Sequence, residues 1–227
     1  MPESTKQTVV CVAPHPDDET LGCGGTILKH VAQGDSVHWL IVTAMGADLF
    51  SSERIRKRKE EIEKVALAYG FCSVHELGFP SASLDRIPLS ELVGEIGRVL
   101  GDIQPAVVYV PYRGDVHSDH AIVFDAVSAC SKWFRYPSVC RLLVYETPSE
   151  TDFAINPDAR GFVPNVFVNI EPWLEKKLEI MSSYDGEQGE FPFPRSEESL
   201  RAMARVRGSA SGFLAAEAFM LLRERWS

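Results

Sequence analysis

The run Thr8-Val9-Val10-Cys11-Val12-Ala13, stopped by Pro14, constrains the fold of this chain more than any other stretch. A nearly unbroken apolar run of strand-forming residues, without polar alternation, describes a strand covered on both faces, as in the middle of a parallel sheet. The segments that follow keep to that pattern. Gly22-Cys23-Gly24-Gly25 reads as a turn and Thr26 to Gln33 as a short amphipathic helix, with Thr26 as N-cap and Gly34 as stop. Ser36 to Thr43 supplies the next strand, completing a βαβ unit of the kind that builds parallel sheets.

The alternation continues. Glu53 to Tyr69 carries Ile55, Ile62, Val65, Ala66 and Tyr69 on one face and ends at Gly70, and its basic stretch Arg54-Ile55-Arg56-Lys57-Arg58-Lys59 reads mostly as a solvated face. Leu89 to Leu100 reads as helix, Ala106 to Val110 as a buried strand ended by Pro111, and Ile122 to Phe134 as helix. Arg141 to Tyr145 and Asn165 to Ile170 read as strands, and Trp173 to Tyr184 and Leu214 to Trp226 as helices. The expectation is an α/β fold, a doubly wound, mostly parallel, Rossmann-like sheet with helices on both faces. At 227 residues and 45% hydrophobic, the chain suits a single domain over residues 1–227.

Charge and cysteine use narrow the function classes. A net charge of −9 argues against binding nucleic acid or anionic membrane through a bulk basic face. The opening residues Met1 to Gln7 have no apolar signal core, and no apolar stretch approaches the ~18 residues that would span a bilayer, so a cytoplasmic enzyme is expected. The scattered cysteines Cys11, Cys23, Cys72, Cys130 and Cys140 argue for reduced thiols. Cys23 between glycines reads as a small packed side chain before it reads as a ligand. A homo-oligomer is compatible with all of this.

Two polar clusters carry the chemistry. Pro14-His15-Pro16-Asp17-Asp18-Glu19 follows the first strand, and Asp115-Val116-His117-Ser118-Asp119-His120 follows the strand ended by Pro111. Open parallel sheets bind ligands at the carboxyl ends of their strands, beside a topological switch point, and both clusters fall at such ends. Imidazoles and carboxylates suit zinc, and His15, Asp17, Asp18, His117 and His120 are more candidates than the three protein ligands a catalytic zinc needs. The surplus leaves groups to act as base and acid in a hydrolysis. Adjacent Asp17 and Asp18 leave one backbone turn in different directions, so one can bind metal while the other faces water. Taken singly, an Asp-Asp pair is commonly a turn or cap, and a Gly22 to Gly25 match to a dinucleotide loop is incomplete.

Pro14-His15-Pro16-Asp17-Asp18-Glu19 followed by Leu21-Gly22-Cys23-Gly24-Gly25-Thr26 resembles the opening motif of the LmbE/PIG-L family of zinc-dependent N-deacetylases. His117-Ser118-Asp119-His120 resembles that family's HPDH element, with Ser118 where proline is usual. The likeness extends through Arg58-Lys59-Glu60-Glu61 and Tyr69-Gly70 to the late segment from Arg207-Gly208 to Ala216-Glu217-Ala218-Phe219. The resemblance implies His15, Asp18 and His120 as zinc ligands, with Fe2+ or Mn2+ as occupants the same donors could take. It implies Asp17 as general base, His117 as oxyanion stabiliser or proton donor, and Asp119 as the group that orients His117 and favours its charged form. Arg58 would bind substrate, with Arg54 and Arg56 as alternatives.

The same likeness implies an N-acetylated amino sugar or sugar conjugate as the small-molecule partner, deacetylated with release of acetate. Loops at Tyr145 to Thr151, Phe162 to Asn165 and Phe191 to Ser196 are candidates to flank the sugar. Two alternatives remain: an amidase acting on a larger acyl or thiol-sugar conjugate, and a non-catalytic nucleotide-sugar binding module.

Overall fold

A computed structural model describes residues 6–155 and 161–226. Seven strands form one open sheet in the order β3-β2-β1-β4-β5-β7-β6. β1 (Thr8–Ala13) lies parallel to β2 (Ser36–Ala44) on one side and to β4 (Val107–Pro111) on the other. β3 (Ser73–Pro80) extends the sheet beyond β2, and β5 (Arg141–Tyr145) lies beyond β4, both parallel to their neighbours. The chain winds outward from β1 in one direction and from β4 in the other, which makes the gap between their carboxyl ends the switch point.

The buried run predicted to sit mid-sheet does so. Val9 and Cys11 point into one cluster of side chains and Val10 and Val12 into another. The first is closed by α1 (Asp18–Ala32), α2 (Ser52–Tyr69), α5 (Leu174–Met181) and α6 (Glu197–Ser209), through Ile27, Val65, Leu178 and Leu200. The second is closed by α3 (Leu89–Ile103) and α4 (Ser118–Ala129), through Leu92, Ile96, Val123 and Val127. The sheet is therefore doubly wound, as expected. No helix among the described residues is long and apolar enough to cross a membrane.

Several local expectations are corrected. Leu214 to Trp226 is not a helix: β7 (Ala216–Glu224) pairs antiparallel with β5 and with β6 (Val166–Asn169). Its alanines, leucines and glutamates favour helix, but sheet pairing on both edges and burial of Ala216 to Phe219 override that preference. The helix expected over Ile122 to Phe134 begins earlier, at Ser118, and stops at Ala129. The Trp173 to Tyr184 helix is shortened to α5 behind a short 3-10 turn, Glu171–Trp173. β3, an edge strand that mixes Val74, Leu77 and Phe79 with polar residues, and α6 carry no expectation in the sequence.

Gly22 to Gly25 is no turn. These residues lie inside α1, which begins at Asp18 rather than at Thr26, and their missing side chains let the helix lie against its neighbours. A Cβ at Gly22 would run into the Tyr145 ring, and one at Gly25 would stand 2.6 Å from the Ile170 Cβ. The same stretch admits an ion pair. Lys177 Nζ donates to Leu21 O at 2.9 Å and pairs with Glu217 at 2.7 Å, while the Glu217 carboxylate accepts from the Gly25 and Thr26 amides at 2.8 and 2.7 Å. Leu21 O and Gly25 N, partners in a regular helix, are thus both satisfied from outside it.

Candidate metal centre

The turn that ends β1 is held from below. Asp17 takes φ of 133°, a value disfavoured for any residue with a side chain, and its amide donates to Glu19 Oε2 at 3.0 Å. Glu19 is fully buried and its other oxygen accepts from Thr20 Oγ1 at 2.5 Å and Tyr184 Oη at 2.7 Å. Burial lifts its carboxyl to about 7 against those hydrogen bonds. Glu19 therefore braces the turn from within the core.

On that turn Asp18 Oδ2 accepts from the His15 amide at 2.8 Å and lies 3.3 Å from His15 Nδ1. Across the switch point, α4 brings His120 Nε2 to 3.4 Å from the same oxygen. One donor atom each from His15, Asp18 and His120 lies within 4.8 Å of the others. His120 Nδ1 is bound to Asp115 Oδ2 at 2.7 Å, and Asp115 Oδ1 accepts from Thr151 Oγ1 at 2.6 Å. That leaves Nε2 of His120 buried and, among the described residues, without a hydrogen-bond partner. A buried imidazole nitrogen is seldom left unpaired, and here it faces a carboxylate and a second imidazole.

The electrostatics point the same way. Burial alone would lower both histidines, but Asp119 and Asp18 push His15 up to about 9, and Asp18 and Asp115 push His120 up to about 10. Despite its burial, Asp18 is held well below the carboxylate range by His120 and His15. Asp18, Asp115 and Asp119 thus favour positive charge at the cluster, and two imidazoles with a carboxylate, one imidazole already oriented by a carboxylate behind it, form a donor set that fits a divalent cation once the imidazoles give up their protons. Replacing Asp115 by Ala is expected to weaken metal binding by about 10–100-fold, measured by competition with a chelating dye. Unchanged affinity would show that the Asp115 contact does not tune the ligand.

The Asp119 carboxylate favours the charged form of His117, as expected, but is held more closely by His15. Its Oδ2 lies 3.1 Å from His15 Nε2 but 4.0 Å from His117 Nδ1, and it accepts from the Ala82 and Leu84 amides at 2.8 and 3.3 Å. His117 caps α4: its Nδ1 accepts from the Asp119 amide at 3.2 Å, which leaves Nε2 as the protonated nitrogen. Burial and the neighbouring His15 lower its pKa to about 4, so it is neutral where a charged form was expected. The two imidazole rings are 4.5 Å apart.

A cavity of about 370 Å³ opens over this group, lined by His15, Asp17, His117, Glu150 and Arg195 together with apolar Met45, Phe50, Ile55 and Ile62. Asp17 Oδ2 accepts from Arg195 Nη1 at 2.7 Å. Burial and the Asp18 charge hold the Asp17 carboxyl well above the usual range, with Arg195 opposing them.

Arg58 lines the same cavity, but its fork is committed to the protein. It donates to Pro16 O at 2.7 Å, pairs with Glu61 at 3.0 Å and with Glu187, and lies over the Tyr184 ring. The basic run is likewise only partly solvated. Arg54 donates to Asp185 O at 3.0 Å and Lys57 pairs with Asp185 at 2.6 Å, whereas Arg56 pairs with Glu60 on its own helix.

Of the loops expected to flank a sugar, two contribute through Glu150 and Arg195. Phe162 packs instead on Tyr112 and beneath Arg207, and Phe191 and Phe193 are exposed. Cys23 is fully buried in the core, away from the ligand group. Sequence reasoning passed over Asp115 and Arg195 as functional groups. A carboxylate five residues before His120 was a usable sign of the first, while the second was marked only as part of the Phe191 to Ser196 loop, with nothing to tie it to Asp17.

Comparison with known proteins agrees with this geometry. The model of the PIG-L family, described as GlcNAc-PI de-N-acetylase, matches residues 10–131. A diacetylchitobiose deacetylase from Thermococcus kodakarensis is 30% identical over 95% of this chain and 83% of its own. A probable N-acetyl-alpha-D-glucosaminyl L-malate deacetylase 2 from Bacillus anthracis is 26% identical over 78% of this chain and 79% of its own. Among solved structures, a conserved protein from Thermus thermophilus superimposes with a TM-score of 0.77 at 26% identity, covering 97% of each chain.

Proposed function

Because this chain belongs to the PIG-L (LmbE-like) family, we propose that it is a metal-dependent deacetylase that hydrolyses the N-acetyl group of an amino sugar or amino-sugar conjugate and releases acetate. The observation that carries this reading is the buried Nε2 of His120, without a hydrogen-bond partner among the described residues and set against Asp18 and His15, with His15 and the Asp17 carboxylate lining the cavity beside it. His15, Asp18 and His120 would hold the ion, for which zinc is the first choice and Fe2+ or Mn2+ are compatible. When bound, the ion supplies Lewis acidity, acidifying a water to a pKa of about 7 and polarising an amide carbonyl.

The remaining steps belong to this chain's own side chains. Asp17 takes the proton of the attacking water. Burial and Asp18 favour its protonated form, so it can return that proton to the amide nitrogen, which must be protonated before it can leave. His117, neutral and with Nδ1 accepting from the Asp119 amide, presents Nε2–H to the carbonyl oxygen as charge develops there. Loss of such a donor costs on the order of a hundredfold to a thousandfold in rate. Asp119 orients His15, and Asp115 orients His120.

The test is a panel of N-acetylglucosamine, its disaccharide, and nucleotide-linked and lipid-linked forms, with acetate and free amine both measured. Apolar Met45, Phe50, Ile55 and Ile62 in the cavity make N-propionyl and N-butyryl sugars the appropriate comparators for a larger acyl group. Acetate and amine in equal amounts, abolished by a chelator, is the expected result. Metal-loaded protein that releases no acetate from any member would overturn the proposal.

A further inference from the structure

Arg195 belongs to none of the motifs above, and it reaches the site from a stretch of irregular backbone between α5 and α6. That stretch is tied down at its start. Arg54 and Lys57 hold Asp185, and Arg58 holds Glu187, so the basic face of α2 fixes the segment that carries Arg195. At its end Arg195 is 15% exposed and uses every nitrogen of its fork. Nη1 donates to Asp17 Oδ2 at 2.7 Å and Glu187 at 3.2 Å, Nε to Ser149 Oγ at 2.7 Å, and Nη2 to Glu150 at 3.3 Å.

A guanidinium bound through all three of its nitrogens is a fixed object, unlike a surface arginine that samples many rotamers. The loop that binds its far edge also serves the metal group: Thr151, two residues after Ser149, donates to Asp115 and so braces His120. One loop therefore sets Arg195 and the His120 imidazole relative to each other. Asp17 needs such a reference, since its backbone conformation is disfavoured and its carboxylate has only Arg195 as a side-chain hydrogen-bond partner among the described residues.

We propose that Arg195 is the positioning residue for Asp17. By binding Oδ2 it fixes the carboxylate plane and leaves Oδ1 as the oxygen that exchanges the proton, and it remains bound to Asp17 throughout turnover. The proposal rests on the reading of Asp17 as general base. Arg58, which donates to Pro16 O and Glu187 and lies in an ion pair with Glu61, belongs to the frame.

The experiment uses full-length, metal-loaded Arg195→Ala, Arg195→Lys, Asp17→Asn and the Arg195→Ala/Asp17→Asn double variant, with metal content checked for each. Arg195→Ala is expected to lower kcat by about 10–100-fold, the scale of a hydrogen bond to a charged group, with KM changed less than about threefold. Lysine should restore part of the rate, and millimolar guanidinium chloride should rescue Arg195→Ala saturably. In the double variant, removal of Arg195 should cost nothing beyond the Asp17→Asn loss, because it acts through that carboxylate. Full activity in Arg195→Ala, a further loss in the double variant, or a loss that follows metal content and resists guanidinium would each overturn the proposal. If Asp17→Asn is active, it is the reading of the base that fails. If Asp17→Asn is inactive and Arg195→Ala is normal, only the positioning role fails.

Discussion

Replacing Asp17 by Asn is expected to lower kcat by about 10²–10⁴-fold while a full equivalent of metal stays bound. Asparagine keeps the shape of the side chain, tolerates positive φ better than most residues, and retains an oxygen for Arg195, but it cannot take a proton from water. The substitution therefore removes one chemical step and little else. Stability separates this from structural damage. A carboxyl whose folded pKa lies above its unfolded value favours the protonated form, so its contribution is lost as pH rises through the unfolded value toward the folded one. Once ionised, the Asp17 carboxylate thus opposes folding, because burial and the Asp18 charge outweigh Arg195. In chelator-treated protein, Asp17→Asn should melt no lower than wild type. Retained activity, or a loss of rate that tracks loss of metal, would contradict the assignment.

The largest effect on stability is expected at Glu217. Truncation to Ala leaves Lys177 buried against Leu21 O alone and removes the acceptor of the Gly25 and Thr26 amides. Breaking a buried pair from one side costs about 3–5 kcal/mol. For a domain of this size that corresponds to a fall in Tm of about 6–20 °C. Glu217→Gln, which keeps an acceptor but not the charge, should fall between the two. The consequence reaches the site, since the helix that the pair enters begins at Asp18. Thermal unfolding followed by circular dichroism reads the difference, and a Glu217→Ala protein within about 1 °C of wild type would show that the pair contributes nothing net.

What the sequence made legible was local. His15 and Asp18 share one turn, His117 and His120 one helix start, and both follow buried strands whose apolar runs are hard to misread. What it hid depends on distance. Arg195 lies 178 residues from Asp17, and no periodicity relates them. Asp119 illustrates a second cause: nearness in sequence suggested His117, but the first turn of α4 sends its carboxylate to His15, 104 residues away. The strand β7 was lost because its composition favours helix, and only pairing with β5 and β6 decides otherwise. Gly22 to Gly25 imitated a turn because close packing and chain reversal select the same residue.

The central claim is that one divalent ion held by His15, Asp18 and His120 enables hydrolysis of an N-acetyl amino sugar. Titrating zinc into chelator-stripped protein while following acetate release tests it most directly. The expected trace rises in proportion to added metal and levels off at one equivalent, and His120→Ala gives no rise over the same range. Full acetate release before any metal is added, or an activity in His120→Ala that saturates like wild type, would contradict the account.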